Sequence, residues 1–369
     1  MLIKNGNVFI DGAFRKCDVA FDTVIRQVGA LDGPADIDAE GLYVTPGFID
    51  VHTHGAKNRD FSDGDPEGVT AASSFYADHG VTSFTATTMT LTEDVLTPAM
   101  KAIGSFRRPA DGAKCAGIHL EGPFLSYAKR GAQDPRNLHK PDAEMFKRLN
   151  DASGGIVRLV TVAPEEDGAE AFIKEVSKIC TVSLGHSVAD YDTAMRAYEW
   201  GASHATHLFN GMNGFVHRAP GIVGAAADSG VTVELICDGQ HIHPCVVRCV
   251  HKLFGDKLCI ISDSLRCAGM PDGDYDLAGQ PIVMKDGLAR LLDGTIAGSS
   301  TNIHDSIRNV VRFGIPLEAA VTAATSVPAG VIRRSNEIGA IRTGLAADFV
   351  LMDRELNIKG VIVDGVRIR

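Results

Sequence analysis

Six side chains that could hold a metal ion or move a proton lie where short apolar runs stop. They are His52 and His54 after Phe48-Ile49-Asp50-Val51, Glu121 after Ile118-His119-Leu120, His186 after Val182-Ser183-Leu184-Gly185, His207 after Ala205-Thr206, and Asp263 after Ile260-Ile261-Ser262. Histidine and carboxylate ligands around an open coordination position suit a hydrolytic centre, where an ion brings the pKa of bound water toward neutrality. Asp263 is then the general base. Taken singly, each residue has a plain structural explanation, since a buried glutamate can be ion-paired and a strand-end histidine satisfied within the core. Taken together, they point to a metal. Side chains on a strand alternate faces, so in His52-Thr53-His54 the two imidazoles share one face and Thr53 points to the other.

Positioning these groups requires a repeated strand-loop-helix unit. Eight apolar runs read as strands: 48–51, 82–86, 116–120, 157–162, 181–184, 205–208, 231–236 and 258–261. Helical spacing fills most of the gaps, as in residues 191–200, which Gly201 ends. Eight such units predict an α/β fold of the (β/α)8 TIM type, whose chemistry gathers at the C-terminal ends of the strands. Residues 1–45 read instead as short strands and turns, and so do 344–353 and 361–365, which suggests one satellite sheet built from both termini. The text after residue 270 is also β-rich. His79, His139, His204, His251 and His304 fall off the strand ends or on helix and loop text, and are expected to be structural.

The chain has 369 residues and a formal charge of −10, which argues against a nucleic-acid partner because a duplex calls for a basic face. No run of about 18 apolar residues and no leader-like start is present, so a protein free of the membrane is expected. Eight cysteines lack Cys-x-x-Cys pairs, and this usage suggests reduced thiols and a cytoplasmic location. Cys245 and Cys249 could share a helix face and are expected to be core residues.

Several stretches together carry a family resemblance: His52-Thr53-His54, His119-Leu120-Glu121-Gly122-Pro123-Phe124, Gly185-His186-Ser187, Thr206-His207-Leu208-Phe209-Asn210-Gly211-Met212, Asp238-Gly239-Gln240-His241, Ser262-Asp263-Ser264 and Ala268-Gly269-Met270-Pro271-Asp272-Gly273. In order, and over nearly the whole chain, they resemble the N-acetylglucosamine-6-phosphate deacetylases of the amidohydrolase superfamily. The resemblance implies a small β-sandwich domain from residues 1–46 and 340–369, a catalytic barrel over 47–339, and a homodimer. It implies a divalent ion, zinc or iron, held by Glu121, His186 and His207, with His52 and His54 able to hold a second.

The substrate it implies is an amino sugar phosphate carrying an N-acetyl group. Asp263 is the implied base and His241 stabilises the oxyanion. Asn210 and Gly211 contact the sugar, and Arg218 binds the phosphate, from its own or the partner subunit. Gln133 stands where relatives commonly have a sugar-touching histidine, which makes N-acetylgalactosamine 6-phosphate the nearest rival substrate. Two other hydrolase readings are weaker. Strand four lacks the lysine that bridges metals in hydantoinase-like enzymes, and Gly185-His186-Ser187-Val188-Ala189 only approximates a serine-nucleophile elbow.

Overall fold

The computed structural model describes residues 1–369. Eight parallel strands form one sheet, here β1 (Phe48–Thr53), β2 (Val81–Thr88), β3 (Lys114–Glu121), β4 (Val157–Val162), β5 (Thr181–Leu184), β6 (His204–Ala205), β7 (Thr232–Ile236) and β8 (Leu258–Ile261). Each pairs with its neighbours in sequence order. The barrel closes between β8 and β1 without a regular ladder, through single bonds such as Asp263 N–H to the His52 carbonyl at 2.9 Å. Strands buried on both faces are rich in β-branched and aliphatic residues, as expected for a parallel sheet covered by helices.

Helices α1 (Pro66–Asp78), α2 (Glu93–Gly104), α3 (Ala143–Ala152), α4 (Ala169–Val176), α5 (Tyr191–Trp200), α6 (Gly221–Ser229) and α7 (Pro244–Phe254) follow the first seven strands, and α8 (Ile303–Arg312) comes after a β-rich insertion. Local chemistry starts several of them. Asp65, Asp142, Asp190 and Asn302 accept backbone N–H bonds as N-caps of α1, α3, α5 and α8. The main core lies between these helices and the outer face of the barrel, with Phe84, Phe124, Phe146 and Phe172 among its fully buried members.

Two details differ from the sequence reading. Strand six begins at His204 and stops at Ala205, because His207 and Phe209 take left-handed conformations at φ 24° and 76° that no strand accommodates. His204 therefore sits inside the barrel wall rather than off it. Cys245 and Cys249 are exposed on α7, whose buried face belongs to Val247, Val250 and Phe254. All eight cysteines are free.

Both termini enter one eight-stranded sheet. Tyr43–Pro46 pairs antiparallel with Phe349–Met352, joining the N-terminal strands Leu2–Ile10 and Ala13–Phe21 to the C-terminal strand Ile358–Val363. Ile3, Val8, Val19, Val44, Phe349 and Ile362 form its core. At the junction with the barrel, Lys114 Nζ lies 2.7 Å from both Asp348 Oδ2 and Asp364 Oδ1. The insertion is a four-stranded antiparallel meander, Gly273–Leu277, Gln280–Lys285, Leu288–Leu291 and Ile296–Ser299. Its apolar side packs on Met89, Ala132, Leu265 and Cys267, beside the open end of the barrel.

Candidate metal centre and active site

The ends of three strands, β1, β5 and β6, aim histidines at the carboxylate of Glu121, which ends β3. Its Oε1 lies 2.9 Å from His207 Nε2, 3.2 Å from His186 Nε2 and 3.3 Å from His52 Nε2. Its Oε2 lies 3.2 Å from His54 Nε2. Asp263 Oδ1 completes the ring at 3.4 Å from His54 Nε2 and 3.6 Å from His52 Nε2. All six residues are buried. His186, His207 and Asp263 reach the centre from left-handed backbone at φ 47°, 24° and 49°, a conformation that costs non-glycine residues energy and often marks functional sites.

A cation fits this arrangement. Lys129 O accepts from His186 Nδ1 at 2.8 Å, so the neutral ring turns a lone pair at Nε2 toward Glu121 and toward His207 Nε2, 3.0 Å away. Glu234 Oε2 likewise accepts from His52 Nδ1 at 2.9 Å, and His52 Nε2 is buried without a hydrogen-bond partner. Lone pairs and carboxylate oxygens thus converge where only a positive charge satisfies them. The edges of the Glu121-His186-His207 triangle, 2.9, 3.0 and 3.2 Å, approach the roughly 3.3 Å between ligands of a tetrahedral ion bound at about 2.0 Å. A second group, His52, His54 and Glu121, shares the same carboxylate.

Among protein groups alone, electrostatics run the same way. Burial disfavours charge on His54, yet Asp263 and Glu121 outweigh it and push the imidazole up to about 9. Burial likewise opposes ionisation of Glu121, but the surrounding histidines hold it well below the usual carboxylate range, and Asp263 is lowered too, chiefly by His52 and His54. Both carboxylates are therefore anionic and offer their charge to a cation.

The centre opens into a cavity of about 280 Å³ lined by Asn210, Gly211, Gln133, His241 and the strand Ile296–Ser299 of the insertion. Asp238 Oδ2 accepts from His241 Nδ1 at 2.6 Å, while Nε2 is enclosed without a partner. Gln133 has both ends engaged, donating from Nε2 to Glu121 Oε2 and accepting the Thr90 N–H at Oε1, each at 2.8 Å. Its amide thus holds the bridging carboxylate as well as lining the cavity. Gly211 has φ 59°, and a Cβ there would lie 2.9 Å from His186 Nδ1. Arg218 is exposed and lines a separate depression with Asp190, Tyr191 and Asn213.

Sequence reasoning passed over Glu234 and read its partner His204 as structural, off the strand ends. Glu234 is fully buried and bonds His52, His204 and the His207 N–H. The signal was a lone acid within the apolar run Val231-Thr232-Val233-Glu234-Leu235-Ile236.

A closed parallel barrel with histidines and carboxylates converging at its strand ends defines a metal-dependent barrel hydrolase. The amidohydrolase family profile matches residues 43–368. The chain is 35% identical to the N-acetylglucosamine-6-phosphate deacetylase of Lysinibacillus sphaericus over 94% of this chain and 90% of that protein. It is 32% identical to the N-acetylgalactosamine-6-phosphate deacetylase of Escherichia coli O157:H7, over 89% and 88% respectively. Among solved structures, it superposes with TM-score 0.93 and 32% identity on a Mycobacterium smegmatis N-acetyl-D-glucosamine-6-phosphate deacetylase variant in complex with N-acetyl-D-glucosamine-6-phosphate, covering 100% and 99% of the two chains. The chain belongs to the amidohydrolase family and, within it, to the N-acetylglucosamine-6-phosphate deacetylases.

Proposed function

We propose that this protein hydrolyses the acetamide of N-acetylglucosamine 6-phosphate to glucosamine 6-phosphate and acetate. The observation that carries the reading is the convergence of four histidine nitrogens on one buried carboxylate, with Asp263 beside two of them, at the floor of an open cavity. Glu121, His186 and His207 would hold one divalent ion, and His52 and His54 with Glu121 a second. Such an ion, zinc or ferrous iron, supplies Lewis acidity and a water acidic enough to ionise near neutral pH.

The protein's own groups do the rest. Asp263 takes the proton of the attacking water at Oδ1 and returns it to the amide nitrogen, so that the amine leaves neutral. His241, held by Asp238, presents Nε2 to the carbonyl oxygen. Asp238, 2.6 Å from Nδ1, fixes the ring so that Nε2 faces the developing oxyanion. Asn210 and Gly211 bound the sugar. Arg218 lies outside the cavity that contains the centre, which suits binding the phosphate of a substrate held by the other subunit of a homodimer. All eight thiols are unpaired, which supports a reducing, cytoplasmic setting; no helix is long and apolar enough to cross a membrane.

Beside Gln133, a galacto-specific reading has in its favour the comparable identity of the galacto relative. Acetate release from the gluco and galacto substrates in parallel, with the metals counted, separates the two. Gluco turnover abolished by a chelator and restored by metal is the expected result. A galacto preference would reassign the substrate, and chelator-resistant turnover would sink the metal mechanism.

A further inference from the structure

Two carboxylates grip the metal centre from opposite sides. Glu121 faces the cavity, whereas Glu234 on β7 lies behind the histidines with no exposure to solvent. One Glu234 oxygen, Oε2, accepts from His52 Nδ1 at 2.9 Å and from the His207 backbone N–H at 3.0 Å. These two histidines belong to different halves of the centre, His52 with His54 and His207 with His186. The other oxygen, Oε1, is 3.2 Å from His204 Nε2, and His204 Nδ1 is 2.7 Å from Thr232 Oγ1. The carboxylate is thereby anchored from β6 and β7 and cannot turn.

We infer that Glu234 is a positioning residue that couples the two halves of the metal centre. Its bond to His52 keeps the proton on Nδ1 and the lone pair on Nε2, and makes that ring a stronger donor. Its bond to the His207 amide holds the left-handed turn that brings His207 to Glu121. A single oxygen performs both tasks, so a change at Glu234 reaches both ion sites. Glutamine of the same size cannot replace it, because its amide offers one acceptor oxygen where two are used and turns N–H groups toward a neighbouring donor.

This inference rests on the reading of these histidines as metal ligands, and its test does not need substrate. Metal-free protein is titrated with Zn²⁺ by calorimetry, and His54→Ala identifies the binding step that belongs to the His52/His54 half. Glu234→Gln is expected to weaken both steps about 10- to 100-fold, the usual effect of losing an outer-shell partner. Weakening of one step alone, unchanged affinities with only a lower melting temperature of the metal-free protein, or a single ion in the wild type would overturn the coupling. Should Glu234→Gln not fold, His204→Gln decides, since it removes an anchor of Glu234 and leaves the ligands in place: weaker binding supports the inference and unchanged binding overturns it. No Zn²⁺ uptake by the wild type would instead sink the metal reading itself.

Discussion

His241 meets the cavity through a nitrogen that no protein group occupies, and its other nitrogen is spent on Asp238. If it steadies the oxyanion, His241→Ala should lower kcat by about 10²- to 10³-fold, the usual loss for one oxyanion donor. Metal content should stay at the wild-type level, and a variant with unchanged kcat would remove His241 from the chemistry. At this scale the convergence of these histidines and carboxylates was legible because each of them ends an apolar run, and so many polar side chains at strand ends have few structural reasons to be there together. Glu234 was not, since a charge in mid-strand shows its partner only when the register of β6, β7 and β1 is fixed. Gln133 was legible as a residue of the site, but its engagement with Glu121 and Thr90 depends on how the loop after β3 folds back.

Strand Ile296–Ser299 of the insertion holds Asp263 in place. Ser299 N–H donates to the Asp263 carbonyl at 2.9 Å, Leu265 N–H donates to the Ser299 carbonyl at 3.0 Å, and Ser299 Oγ donates to the Ser262 carbonyl at 2.6 Å. Gly298, at φ 154°, passes so close that a Cβ would lie 2.9 Å from Leu265 Cγ and 3.1 Å from the Asp263 carbonyl oxygen. Gly298→Ala is therefore expected to shift Asp263 and cut kcat at least about tenfold, within the loss that a roughly 1 Å misplacement can cause. Zn²⁺ affinity of the Glu121-His186-His207 group should persist, and full activity would mean that the strand only covers the site. The β character after residue 270 was readable from composition. Its docking was not, because an antiparallel meander carries no local signal for the surface it will cover.

The barrel and the two-ended sheet were legible as a whole, since eight buried runs separated by helical spacing admit few other architectures. The joint between them was not, as Lys114 reads as an ordinary strand-start cation. It sits between Asp348 and Asp364, and Asp348 is nearly enclosed. Removing the ammonium with Lys114→Met should cost about 3 kcal/mol, the lower end for breaking a buried pair. Burial raises the Asp348 carboxyl above its unfolded value even though Lys114 opposes it. The native state then holds more protons than the unfolded chain between those two values, so stability falls as pH rises through that window. Without Lys114 the window widens upward, and urea midpoints should show the variant's deficit shrinking as pH is lowered from 7.5 toward 4. A deficit independent of pH would mean that the loss is one of packing.

The antiparallel pairing of Tyr43–Pro46 with Phe349–Met352 also sets an order of assembly during synthesis. The N-terminal strands emerge first, yet their sheet lacks its neighbour until some 300 further residues have been made. The barrel strands and the converging histidines and carboxylates can assemble in the meantime, because all of them precede residue 264. Throughout that interval the edge at Tyr43–Pro46 has open hydrogen-bonding groups and could template a neighbouring nascent chain. A chain stalled before residue 349 would thus carry every one of those converging side chains and an unsealed edge, making it a species for chaperones to hold rather than a harmless fragment.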